Sequence, residues 1–330
     1  MNKKTSTFPA LVNIYVISII VWFVLWSVFG DGKWWLTLLN RFISYLFLLV
    51  PLFLLWGLIT RRYKTLLPLS LPILIFMGIY RPYVIPQFAK TADVEPALKV
   101  MTYNVLYSNF DHDSVANVVL TYQPDLVAMQ EVQPEMMSAL QERLVAVYPY
   151  SLMGTLDNYG TTAVFSRFPF TDSYVLDLQA GRPAVVVKTK INGQEISFVA
   201  AHLLAYNLWW TPWKDIPADI EQKTAVQNRQ AQLVLEEAKK LGGTVIVGCD
   251  CNSYETSSSV HIFDQSMDNS AREAGWFVGK NERAGTRWDT ALQHIDYIWY
   301  RGLVQPIAVY KIKDDGGSDH FPVLAIFQMK

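Results

Sequence analysis

Cysteine is nearly absent from this 330-residue chain; the only two are Cys249 and Cys251. Two thiols make no disulfide framework. At i and i+2 of an apparent strand they are badly placed to pair with each other, so cysteine usage leaves the compartment open. The expectation is that both are buried as small apolar residues while Asp250 points the opposite way. Charge is sparse too: 17% of residues are charged and the net charge is −1. From residue 97 onward, roughly 19 Lys and Arg face 26 Asp and Glu. That balance argues against the basic, phosphate-tracking face of a nonspecific nuclease. Internal repeats and low-complexity tracts are missing as well, which removes repeat architectures. What the chain has in excess is apolar residues, at 51%, and the excess lies at the front.

Residues 8–30 form an almost unbroken apolar stretch of the roughly 20 residues a bilayer span needs. Residues 42–60 form a second, and 66–80 a third, interrupted by Pro68 and Pro72. Lys3 and Lys4 give the first stretch the basic start of a signal peptide. Its apolar core is nevertheless longer than the ~7–15 residues of a signal sequence, and no small-x-small cleavage site follows. Three retained spans are expected. Lys3 and Lys4, then Arg61, Arg62 and Lys64, fall on one side of them, which the positive-inside rule makes cytoplasmic. Everything after about residue 85 is then extracytoplasmic; a third stretch that re-entered rather than crossed would reverse that side. The expected organisation is a transmembrane region over 1–85, a linker over 86–96 and a catalytic domain over 97–330.

The remainder reads as α/β. Strands are expected over 98–104, 125–130, 162–166, 183–191, 195–202, 244–248, 294–300, 304–311 and 321–327, with helices over 114–122, 134–147 and 218–241. The last of these helices stops at Gly242-Gly243. Roughly 230 residues are ample for one buried core. Polar residues gather where strands end: Asn104, Glu131, His202, Asp250 with Asn252, Asp296, and Asp319-His320 just before the last strand. An apolar strand that finishes in a carboxylate, amide or imidazole is costly unless such groups meet one another or a ligand. Any one of them reads as a solvated loop end; six together do not.

Those pieces carry a resemblance. Tyr103-Asn104, Gln130-Glu131, Tyr159-Gly160 with residues 163–169 (AVFSRFP), Ala201-His202, residues 248–252 (GCDCN), Ile295-Asp296-Tyr297 and Ser318-Asp319-His320 resemble, in order and spacing, the endonuclease/exonuclease/phosphatase family, DNase I-like in type. The resemblance covers residues 98–328. It implies a four-layered α-β-β-α sandwich of two mixed sheets flanked by helices, and Mg²⁺-dependent phosphoester hydrolysis, with Mn²⁺ as a possible substitute. Mg²⁺ takes oxygen ligands and keeps several waters. Glu131 is the first choice of ligand, completed or supported by Asn104 and Asp319. Asp250, paired with Asn252, is expected to orient or deprotonate the attacking water. His320 would donate to a phosphate oxygen, with Asp296 favouring its charged form. His202 would touch the phosphate from the other side, and Tyr159 would assist.

The substrate is less legible. Residues 206–214 (YNLWWTPWK) follow His202 closely, and four aromatics in so short a run read equally as a plug under a loop or as an interfacial lip. A catalytic domain tethered near a bilayer meets lipid headgroups at high effective concentration. The favoured expectation is therefore a membrane-bound phosphodiesterase acting on a phospholipid or sphingolipid headgroup. The alternatives are a membrane-anchored nuclease acting on DNA or RNA, and a non-catalytic binding module on the same fold. Of the remaining candidates, His294 is expected to be structural and Arg229-Gln230 solvated or supporting. His112 and His261 have no evident partners.

Overall fold

A computed structural model describes residues 7–85, 97–155, 161–206, 211–275 and 294–330 of the chain. At the front, α1 (Thr7–Phe29), α2 (Trp34–Phe47), α3 (Leu49–Ile59), a 3-10 segment (Tyr63–Leu69) and α4 (Ser70–Val84) form an apolar bundle. Three helical segments, Thr7–Phe29, Trp34–Ile59 and Tyr63–Pro82, are long and apolar enough to cross a membrane. The second begins eight residues before the expected Phe42, because Trp34 to Arg41 continue its helix. The last helix runs on through Arg81 and Pro82 to Val84, and the expected linker, 86–96, lies outside the described residues. Large side chains face outward from the bundle, among them Ile17, Val28, Leu52, Ile59 and Leu74, each more than half exposed. So broad an apolar surface is foreign to a soluble domain.

Beyond it come β1 (Ala97–Asn104), α5 (His112–Tyr122), β2 (Leu126–Gln130), α6 (Pro134–Leu144), β3 (Tyr150–Gly154), β4 (Thr162–Ser166), β5 (Phe170–Asp177), β6 (Pro183–Ile191) and β7 (Gln194–His202). Then follow α7 (Ile216–Leu241), β8 (Thr244–Asp250), α8 (Ser258–Phe263), β9 (Asp268–Asn269), α9 (Ser270–Ala274), β10 (Asp296–Arg301), β11 (Val304–Lys311) and β12 (Val323–Met329). Two six-stranded mixed sheets result, ordered β11-β12-β1-β2-β4-β3 and β5-β6-β7-β8-β10-β9. Their inner faces share a core that includes Val100, Val164, Val187, Phe198 and Phe327. Helices α5 and α6 cover the outside of the first sheet and α7 and α8 that of the second. Each fully buried aliphatic or Phe side chain in these layers contributes roughly 1.5–3 kcal/mol. This is the four-layered sandwich the sequence implied. The expected strands and helices all form, with ends shifted by a few residues; β3, β5, α8, β9 and α9 are additions.

Each sheet contains one parallel pair, β1 with β2 and β7 with β8. In the second pair His202 stands opposite Asp250, and across the antiparallel neighbour Asp296 also stands opposite Asp250. The sheets approach closely at this edge. A Cβ on Gly248 would lie 2.7 Å from the Cβ of Ala128 on β2 and 3.3 Å from that of Thr102 on β1, so glycine there lets β8 approach both strands.

The expectation of two free thiols fails: Cys249 and Cys251 are joined as a disulfide, with Cα atoms 5.3 Å apart. The chain leaves β8 at Asp250, and Asn252 takes a left-handed conformation (φ 47°). The Cys249–Cys251 span is set by the backbone at Asp250, and at 5.3 Å it is shorter than in an extended strand and one a disulfide accepts.

Candidate active site

The ends of β1, β2, β7, β8 and β10 and the turn before β12 meet at one place. Asn104, His202, Asp250, Asp296 and His320 are all at most 5% exposed there. Asn104 Nδ2 donates to Asp250 Oδ2 at 2.8 Å, while its Oδ1 accepts from the Leu106 amide at 2.9 Å. The Asn252 amide donates to the other Asp250 oxygen at 3.1 Å, and its Nδ2 donates to the Leu203 carbonyl at 3.0 Å. His320 Nδ1 lies 2.9 Å from Asp296 Oδ2, and its Nε2 lies 3.9 Å from Asp250 and 4.0 Å from Asp319. His202 Nε2 lies 3.4 Å from Asp250 and 3.8 Å from Glu131. Of the residues singled out in the sequence, eight converge. The ninth, Tyr159, lies outside the described residues, as do Asn207 to Trp210 of the aromatic run.

Backbone geometry places several of these groups. Glu131, the residue after β2, has φ 63°, a conformation that costs a non-glycine residue about 1–3 kcal/mol and gathers at functional sites. Its Oε2 accepts from the Tyr107 amide, and its side chain stays 28% exposed. Ahead of His320, Gly316 sits at φ 56°, where a Cβ would lie 2.6 Å from the Tyr103 hydroxyl. That hydroxyl donates to the Asp315 carbonyl, and Ser318 Oγ donates to the Asn104 carbonyl. The Gly-Gly turn is thereby tied to the end of β1.

Electrostatics separate the two histidines. Burial opposes charge on His320, but Asp296, Asp250 and Asp319 outweigh it and hold the imidazolium well above the usual histidine range. Burial, then the Arg182 guanidinium and His320, push His202 well below that range. Burial, reinforced by Asp296 and opposed by His320 and Asn104, pushes Asp250 up to about 7. One imidazole is therefore a cation at neutral pH and the other a neutral hydrogen-bonding group.

The described residues offer two places for a cation. Asp250, Asp296 and His320 each present a ligand atom within 4.8 Å of the others, but the charge on His320 repels a cation there. Glu131 and Asp319 form a more exposed pair. Burial raises the Asp319 pKa, His320 lowers it and Glu131 raises it again. Two carboxylates that repel each other are a hard donor set, which fits Mg²⁺ retaining several of its waters.

Sequence reasoning missed Arg182. It sits just before β6, its Nη1 2.7 Å from His202 Nδ1, in a turn whose Gln179, Ala180 and Gly181 all have positive φ. It also missed Gln227, whose Nε2 reaches the carbonyls of Leu204, Cys251 and Asn252. One turn on, Gln230 accepts from the Leu204 amide and donates to the Gln179 carbonyl. Gln230 is thus a buried support, whereas Arg229 pairs with Glu236 on the surface. The available signal was a Gln-x-x-Gln pair on the buried face of an amphipathic helix. His294 is buried, its carbonyl accepting from the Tyr297 hydroxyl. Contrary to expectation, His261 has partners, Asp264 at 3.4 Å and the Trp26 ring.

A family model described as the endonuclease/exonuclease/phosphatase family matches residues 101–320, from β1 through His320. The chain belongs to the endonuclease/exonuclease/phosphatase family. Its fold is similar to that of the Beutenbergia cavernae endonuclease/exonuclease/phosphatase, with TM-score 0.59 and 18% identity over 71% of this chain and 72% of that one. It is also similar to D. rerio TDP2 in complex with a single-strand DNA product, with TM-score 0.58 and 18% identity over 71% and 99%. A Bacteroides vulgatus family member gives TM-score 0.56 at 16% identity over 72% and 100%. At these identities the likeness establishes the fold. No curated protein matches the chain in sequence. Family members are typically phosphoester-hydrolysing enzymes, and a divalent metal is their usual cofactor.

Proposed function

We propose that this chain is a membrane-anchored, Mg²⁺-dependent phosphodiesterase whose catalytic domain, residues 97–330, hydrolyses a phospholipid or sphingolipid headgroup on the extracytoplasmic side. The observation that carries the reading is topological. The loops leaving β7 at His202 and β8 at Asp250 lead into α7 and α8, and the apolar bundle packs against the starts of both helices and the loop before α8. The catalytic edge therefore sits beside the membrane-type surface. Three crossings put the bundle's Arg61, Arg62 and Lys64 on the side away from the catalytic domain, in keeping with the positive-inside rule. A disulfide is also at home in an oxidising compartment.

In this reading Glu131 and Asp319, with Asn104, hold the metal. Bound there, it would neutralise phosphate charge and support the leaving oxygen. Asp250, fixed by Asn104 and Asn252, takes a proton from the attacking water as its oxygen bonds phosphorus and the P–O bond to the leaving group breaks, the departing oxygen gaining its proton from solvent. His320, kept charged by Asp296, donates to a phosphate oxygen. His202 and Arg182 hold the phosphate from the opposite side, and Tyr159 assists.

The test is full-length protein in detergent–lipid micelles with Mg²⁺, offered phosphatidylcholine, sphingomyelin, inositol phosphates and single-stranded DNA, with Asp250→Asn as control. Headgroup release at least about 1000-fold above that control supports the reading. A nuclease is the second reading, favoured by the likeness to a structure holding a single-strand DNA product. Turnover of DNA with intact lipid would select it.

A further inference from the structure

The bundle does more than stand beside the catalytic domain; it supplies hydrogen-bonding groups to one catalytic loop. Residues 253–257 connect Asn252 to α8. Thr256 in that loop is 1% exposed, and its hydroxyl and its carbonyl are both used by the bundle. Its hydroxyl donates to the Asn40 carbonyl at 3.0 Å, and its carbonyl accepts from Trp26 Nε1 at 2.8 Å. The start of α8 has no side-chain cap of its own from Ser257. Asp31, in the turn between α1 and α2, takes that place: its Oδ2 accepts from the Ser258 amide at 2.9 Å, and its own amide donates back to Ser258 Oγ at 3.3 Å. Asn40 is fixed in turn, accepting from Trp22 Nε1 and donating to the Gly30 carbonyl. Arg41 lies over the Tyr254 ring at 5.1 Å.

The same loop is anchored at its other end to the site. Ser253 Oγ donates to the Cys251 carbonyl, Ser259 Oγ to Ser253 Oγ, and the Asn252 amide to Asp250. Thr256 lies four residues after Asn252 and Ser258 six, too short a tether to take up slack. We propose that Asp31 is a positioning residue for the reaction: by capping α8 from outside the catalytic domain it holds the 253–258 loop, and through it Asn252 and Asp250, in working register. The bundle is then a structural part of the active site, and the domain without it is impaired even toward a freely soluble substrate. This rests on the phosphodiesterase reading for its kinetic arm and is independent of it for its structural arm.

The experiment uses the full chain in micelles. The kinetic readout is hydrolysis of water-soluble bis(p-nitrophenyl) phosphate with Mg²⁺; the structural readout is amide hydrogen exchange over residues 253–263. Asp31→Ala should lower kcat about 10-fold with little change in KM and speed exchange in that segment, leaving β1 and β2 protected. Asp31→Asn keeps an acceptor oxygen and should restore both. Thr256→Val removes one bond at near-constant shape and should give a smaller change in the same direction, which covers the case of an unfolded alanine variant. Folded Asp31→Ala with wild-type kcat and wild-type exchange overturns the proposal. So does Asp31→Asn behaving like Asp31→Ala. Inactive wild-type protein would instead sink the phosphodiesterase reading, with the exchange arm still deciding this one.

Discussion

Asp296→Asn tests the electrostatic core of the site. Asp296 and His320 are buried together, with 2.9 Å between Oδ2 and Nδ1. At that distance a full charge pair interacts by about 5–6 kcal/mol at an effective dielectric near 20. Asparagine keeps an acceptor for Nδ1, and Asp250 still faces Nε2 at 3.9 Å, so the imidazolium keeps part of its support. The His320 pKa should nevertheless fall, because the largest favourable charge beside the imidazolium is removed. Activity that needs the imidazolium is present below that pKa and lost as pH rises through it. The alkaline limb of the kcat/KM profile should therefore move to lower pH, with activity at pH 8 lost more than activity at pH 6. The assay is bis(p-nitrophenyl) phosphate hydrolysis from pH 5 to 10, with melting temperature checked for each variant. A folded Asp296→Asn enzyme whose alkaline limb has not moved would refute this assignment of charge.

Replacing Arg182 by Lys should fail to rescue what Arg182→Ala loses, about 10–100-fold in kcat/KM, because a guanidinium beside His202 can present a planar pair of donors to phosphate and an ammonium cannot; equal activity of the Lys variant would count against it. Gln227→Ala leaves three loop carbonyls without their shared donor and should lower stability by about 1–3 kcal/mol in denaturant titrations, an effect absent if water replaces the amide. His202 is buried with its pKa below the usual histidine value. The unfolded chain thus binds the extra proton first, and stability should fall as pH drops below about 6.5. His202→Gln should flatten that slope in thermal melts taken between pH 7 and pH 5.

The strand ends were legible because each apolar run stops at a polar residue, a change of pattern that survives without tertiary information. Asn104, Glu131, His202 and Asp250 all carry that mark, whereas Asp296 opens its strand. Edge strands do not. β5 is half exposed along its length, and β3 pairs with only one neighbour, so neither needs a clean apolar period. Arg182 was hidden for a related reason: it follows three residues with positive φ, and a turn of polar and small residues is indistinguishable in sequence from a solvated loop. The Cys249–Cys251 pairing was lost to the assumption that the strand continues, whereas the chain bends at Asp250.

The meeting of bundle and active site was the least legible feature, yet it follows from topology. Where two neighbouring strands run parallel, both connections leave from the same edge, so β7 and β8 deliver His202 and Asp250 to one edge. The helices that follow begin at that edge too, with their first backbone N–H groups unpaired. A segment docking there must bring acceptors, and the turn after α1 does so with Asp31, while Asn40 offers its carbonyl to the loop in between. At the opposite edge the helices end in carbonyls, and an aspartate would find no donors. The edge that gathers catalytic side chains is therefore also the edge best able to accept this bundle. A single acidic residue between two apolar spans, otherwise read as a solvated turn, acquires its meaning only when α8 is in place.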